Sequence, residues 1–168
     1  MSRFAALVCA SALCWLVVPG RGQAQEEAVS PEKIPQAVMD ALRSKFPQAK
    51  IDKCTKAKEG DDVVYDIEFK QAERKCEADI KENGTYINYE KAIAEKDLPK
   101  ACRDAIEKKY PKAKLGDIME ETEVTGKTEK LSAYEVTFVT ADKKDGEVRL
   151  SPDGKILEDT LAAPEAKK

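Results

Sequence analysis

The sequence contains no histidine. That excludes Ser-His and Cys-His nucleophile pairs and the commonest zinc ligand, so a hydrolase would need paired carboxylates or a Ser-Lys pair. Tryptophan is nearly absent too, with Trp15 the sole example. No block of Lys and Arg occurs, and Lys and Glu are interspersed, as on a solvated surface. Nucleic-acid binding needs clustered bases to displace counterions, and that pattern is missing. Long apolar runs are limited to one, Phe4 to Val18, which is short of the roughly twenty residues that a membrane span needs.

That run follows Arg3 and leads into small and polar residues, so residues 1–24 read as a secretory signal peptide cleaved after Ala24. Cleavage removes Arg3 and Arg21 and no acid, leaving 27 basic residues against 32 acidic. It also removes Cys9 and Cys14, leaving Cys54, Cys76 and Cys102. At most one internal disulfide is then available. Cys54 and Cys76 lie near strand ends, and an oxidising compartment permits their pairing, although simple hairpin registers do not bring them together. Cys102 sits on an apolar helix stripe and reads as a buried, reduced thiol.

Residues 25–33, "QEEAVSPEK", read as a flexible leader. From Ile34 the apolar positions 34, 37, 38, 41, 42 and 46 fall on one helix face, and Leu98, Ala101, Cys102, Ala105, Ile106 and Tyr110 match them at an offset of 64. Asp97 is placed to cap the second helix. Pro47 and Pro111 end the helices at Phe46 and Tyr110, giving about thirteen residues each, or roughly 20 Å. The period then changes to two: "VYDIEF" (64–69) and "AYEVTF" (133–138) alternate apolar and polar residues, as half-buried strands do. Third strands follow at 77–80 and 147–150, and Asn83-Gly84 and Asp153-Gly154 supply hairpin turns before a fourth.

The expected fold is therefore α+β: two tandem helix-plus-four-stranded antiparallel meander repeats, 34–90 and 98–159, with the helices packed on one sheet face and a flexible tail at 160–168. The pattern "LPKACRDAIEKKYPKAKL", then "YEVTF", then "GEVRLSPDGKILE", resembles PepSY-like domains, also described as β-lactamase-inhibitor-like. The resemblance spans nearly the whole chain after the signal peptide and implies an exported, non-enzymatic, inhibitor-like module that grips another protein. The first copy departs from the pattern, with Asn-Gly-Thr-Tyr in place of Asp-Gly-Lys-Ile.

Other chemistry is thinly represented. Adjacent acids at Asp61-Asp62 and Glu120-Glu121 point to opposite faces if they lie in strands, and they read as solvated turn and edge residues. "DKKDGE" and "SPDGK" lack the alternating oxygens of a calcium loop and read as turns. Strand parity instead singles out one surface. If Tyr65, Ile67 and Phe69 face the helix, Asp66, Glu68 and Lys70 face away, as do Glu135, Thr137 and Arg149 in the second copy, with Glu77, Asp79 and Glu147 beside them. Asp66, Glu68, Lys70, Glu135, Thr137 and Arg149 are the expected partner-binding residues of a periplasmic or secreted module that recognises an extracytoplasmic protein or peptide, with no catalytic residue, metal site, cofactor, nucleic acid or remaining membrane span. The alternatives are a periplasmic sensor for a small ligand or metal, and an enzyme working through carboxylates.

Overall fold

Helices and strands occur where the sequence period changes. The computed structural model describes residues 26–161. The expected signal peptide and the last seven residues of the expected tail lie outside them. In chain order the elements are β1 (Glu27–Ala28), α1 (Gln36–Lys45), β2 (Lys50–Glu59), β3 (Asp62–Gln71), β4 (Arg74–Lys81), β5 (Tyr86–Ala92), α2 (Lys100–Lys109), β6 (Lys114–Thr125), β7 (Thr128–Val139), β8 (Asp145–Leu150) and β9 (Ile156–Leu161).

All nine strands belong to one antiparallel sheet in sequential order. The expectation of two tandem helix-plus-four-stranded meanders is thereby corrected, because β5 pairs with β6 from Asn88↔Glu123 to Ala92↔Met119 and the sheet runs on without a break. The physical reason lies in the edges. A meander ending at β5 would leave a row of unpaired N–H and C=O groups, and pairing with β6 satisfies both strands at once. The helices are also shorter than expected, ten residues each. Pro35 and Pro99 stand at their N-caps. Asp97 does not cap α2 but lies in the preceding 3₁₀ turn, Glu95–Asp97. At the other end Phe46 (φ −125°) and Tyr110 (φ −126°) leave helical geometry just before proline. Within the segment read as leader, Glu27 and Ala28 pair with Lys56 and Thr55.

One sheet carries two cores on the same face. Val38 and Leu42 of α1 pack with Ile34, Phe46, Tyr65, Ile67, Phe69, Ile80 and Tyr89. Cys102 and Ile106 of α2 pack with Leu98, Ile118, Tyr134, Val136, Phe138, Val148 and Leu150. Each helix is held over the sheet by a hairpin turn that nearly touches it. Gly84 and Gly154 both have φ +85°, and a Cβ at either would lie 2.8 Å from the Ala37 carbonyl oxygen or 2.5 Å from that of Ala101. Only glycine fits both the backbone angle and the approach.

The three cysteines in this region are free and buried. Cys54 is opposite Ile67, which is opposite Ala78, so Cys54 and Cys76 lie two strands apart. Two inter-strand spacings amount to about 9–10 Å, beyond the roughly 7 Å Cα separation that a disulfide spans. Burial also pushes the Cys54 thiol up to about 11, so it stays protonated and unreactive.

Candidate functional site

With both helices on one face, alternation sends every second side chain of the sheet to the other. Cross-strand pairing there lines up Lys53, Glu68, Glu77, Glu90 and Glu121 in one row, from β2 through β6. A second row runs Thr55, Asp66, Asp79, Asn88 and Glu123. Like charges directly opposite one another in a sheet are destabilising. Here four glutamates are consecutive neighbours, with two aspartates beside them.

The rim of the cluster is neutralised. Lys53 Nζ donates to Glu68 at 2.8 Å, and Lys75 bridges Glu77 at 3.1 Å. Asn88 donates to Asp79 at 3.0 Å. Arg149 grips Glu121 in a bidentate pair, Nε to Oε2 at 2.6 Å and the second nitrogen to Oε1 at 2.8 Å, and Ser132 Oγ donates to the same carboxylate at 2.9 Å. Glu121 is only 7% exposed. It is thus no solvated edge residue, contrary to the reading of the Glu120-Glu121 pair.

The centre is left with acids facing acids. Burial raises the Glu90 carboxyl to about 9, reinforced by Glu135, Glu77, Glu121 and Asp79. Glu135 is pushed up to about 8 by burial and by Glu147 across the strand pair. Asp66 rises to about 7 through burial and the opposing Asp79, and Asp79 itself to about 6, chiefly through burial. Register shifts at Asp79/Ile80 and Glu121/Thr122 lie beside these residues, and such bulges bend and twist a strand. Among the described residues, no group of three or more Cys, Asp or Glu side chains has an arrangement that could hold a metal ion. What the arrangement can do is attract cations and store protons.

The six residues expected from parity separate into three groups. Asp66 and Glu68 lie at the heart of the acidic rows, and Glu135 lies opposite Arg149 and Met119. Arg149 is committed to Glu121 rather than free. Lys70 is exposed at the strand end between Lys50 and Lys75. Thr137 Oγ1 accepts from the Asp117 N–H at 2.8 Å and donates to the Asp117 carbonyl at 3.3 Å, tying down the β6 bulge. Sequence reasoning missed Glu90 and Glu121. Glu90 was recoverable, since Tyr89 faces the core and the next residue must face away. Glu121 was not, because its place depends on β5 pairing with β6 and on the bulge at Glu121/Thr122.

Among the described residues, no helix is long and apolar enough to cross a membrane. No curated protein matches the chain. Solved structures similar to it include a BLIP-like protein from Bacteroides fragilis, 20% identical, covering 80% of this chain and 92% of that one at a TM-score of 0.54. A protein described as periplasmic from Bacteroides eggerthii is 11% identical, with coverage of 76% and 88% and a TM-score of 0.59. A DUF2874 family protein from Bacteroides uniformis is 13% identical, with coverage of 79% and 92% and a TM-score of 0.58. These likenesses concern the fold. The pattern of one family matches residues 20–88 and again residues 63–158, spanning most of the sequence, and the chain belongs to that β-lactamase-inhibitor-like, PepSY-like family.

Proposed function

We propose that the protein is an exported, non-catalytic binding module whose open sheet face receives a cationic segment of an extracytoplasmic protein or peptide. The observation that carries this reading is the unbroken cross-strand series Glu68, Glu77, Glu90 and Glu121, flanked by Asp66 opposite Asp79. A sheet selected for stability alone would alternate signs at these positions. Lysine or arginine side chains of a partner would relieve the repulsion and gain charge-assisted hydrogen bonds. The inhibitor-like description of the family and the periplasmic description of a neighbour agree with a protein partner outside the cytoplasm. Asp66, Glu68 and Glu135, with Glu77, Asp79 and Glu90, form the proposed contact surface, and Arg149 holds its wall through Glu121. Lys70 and Thr137 lie at its margin.

Titration of the ¹⁵N-labelled protein with hexa-arginine, against hexa-glutamate as control, tests the reading. Amide shifts confined to β3–β8, weakened at least several-fold by Glu77→Gln with Glu90→Gln, are expected. Shifts scattered over the whole surface, or unchanged in the double variant, would refute it.

A further inference from the structure

The chain has two asparagines, Asn83 and Asn88, and they stand in opposite chemical settings. Asn88 lies in β5, donates its side-chain N–H to Asp79 and is followed by Tyr89, whose side chain hinders approach to its own backbone nitrogen. Asn83 is exposed in the turn between β4 and β5 and is followed by Gly84. Asparagine amides are thermolabile. The carbon of the side-chain amide is open to attack by the backbone nitrogen of the next residue, and glycine, without a Cβ, obstructs that attack least. The nitrogen loses its proton and bonds to the carbon, and the side-chain nitrogen leaves as ammonia. Water then opens the succinimide ring at either carbonyl, giving aspartate or isoaspartate.

The folded turn holds both reacting groups in other bonds. The Gly84 N–H, whose proton must leave before the nitrogen can attack, donates to the Lys81 carbonyl at 2.8 Å. Asn83 Oδ1 accepts from the Thr85 N–H at 3.0 Å. On either side, Lys81 N–H donates to the Thr85 carbonyl at 2.8 Å and Glu82 N–H to the Val63 carbonyl at 2.9 Å. Gly84 also lies against the first turn of α1, where a Cβ would stand 2.8 Å from the Ala37 carbonyl oxygen. Its peptide therefore has little room to turn while α1 is docked. The second half carries aspartate in the same turn: Asp153 precedes Gly154, which has the same φ of +85° and donates to the Ser151 carbonyl at 2.8 Å. The Ser151 hydroxyl, followed by backbone N–H groups, holds the Asp153 carboxyl below its ordinary value. Aspartate thus suits this turn. Isoaspartate does not, because it routes the main chain through the side chain and adds a methylene that carries the glycine away from the helix.

We propose that Asn83-Gly84 is a site of spontaneous deamidation gated by α1: the docked helix keeps Asn83 intact, and deamidation proceeds when α1 lifts from the sheet. Local opening of this kind costs less than global unfolding, and chemical modification of the open form is irreversible. Molecules that return with aspartate dock α1 again. Those that return with isoaspartate do not, so each opening leaves a lasting loss of stability in the first core.

Peptide mapping by mass spectrometry of the purified protein, incubated at mildly alkaline pH with and without unfolding urea, tests the proposal. Asn83 should deamidate more slowly in the folded protein by an order of magnitude or more, with Asn88 unmodified in both. Leu42→Ala loosens α1 and Ile106→Ala loosens α2, and for equal stability lost the first is expected to accelerate the reaction more. The isoaspartate fraction, separated by chromatography, should melt below wild type, and Asn83→Asp should melt with it. Equal rates in folded and unfolded protein would overturn the proposal. So would equal acceleration by the two variants, which would tie the reaction to unfolding of the whole sheet, or an isoaspartate fraction that melts like wild type.

Discussion

At Glu90, β5 places a carboxylate between Glu77 and Glu121 with no base paired to it among the described residues. Its carboxyl is raised to about 9, and those of Glu135, Asp66 and Asp79 to about 8, 7 and 6. A carboxyl raised in the folded chain holds its proton more tightly there than in the unfolded chain. The stability it contributes is complete below the unfolded value, about 4, and is lost as pH rises through the folded value. Thermal melts should therefore show a lower midpoint near pH ~8.5 than near pH ~5.5. Glu90→Gln keeps the shape and removes the titration, so the difference between the two pH values should narrow. An unchanged difference would mean that the centre of the face is not the source.

The elements show a division between what helices need and what turns need. α1 and α2 owe their positions to apolar spacing and to prolines at either end, all visible in the chain. Their docking depends on Gly84 and Gly154, each with φ +85° against a helix carbonyl. Gly126 has φ +63° but open space where a Cβ would stand. Gly126→Ala should cost the backbone term alone, about 1 kcal/mol. Gly84→Ala should cost clearly more, because its Cβ must also push α1 away from the sheet. Urea unfolding of both variants measures the gap, and equal losses would show that α1 yields without cost.

Across the whole molecule, two cores share one sheet. Val124 of β6 packs against the first core, Tyr89 donates to Glu129 of β7 at 2.8 Å, and Lys45 of α1 is salt-bridged to the same carboxylate. These contacts, with the β5–β6 ladder, tie the cores together. Leu42→Ala in the first and Ile106→Ala in the second should each cost about 2–5 kcal/mol. Both should shift one common calorimetric transition. A second transition in either variant would show that the cores unfold independently.

The sequence by itself determined the local elements and their faces. Apolar spacing at Val38, Leu42, Cys102 and Ile106 predicted burial, and alternation in "VYDIEF" and "AYEVTF" predicted which residues point away from the helices; the structure bears out both. These are short-range properties, fixed by the 3.6- and two-residue periods. Tertiary structure alone decided that β5 would pair with β6 rather than end a separate meander, because the partner of a strand edge is another strand far along the chain and leaves no local periodicity. The same long-range pairing put Glu90 beside Glu121 and, with the bulge at Glu121/Thr122, brought Arg149 onto that carboxylate. Parity can name the residues of a face; only the register between strands decides which charges oppose one another.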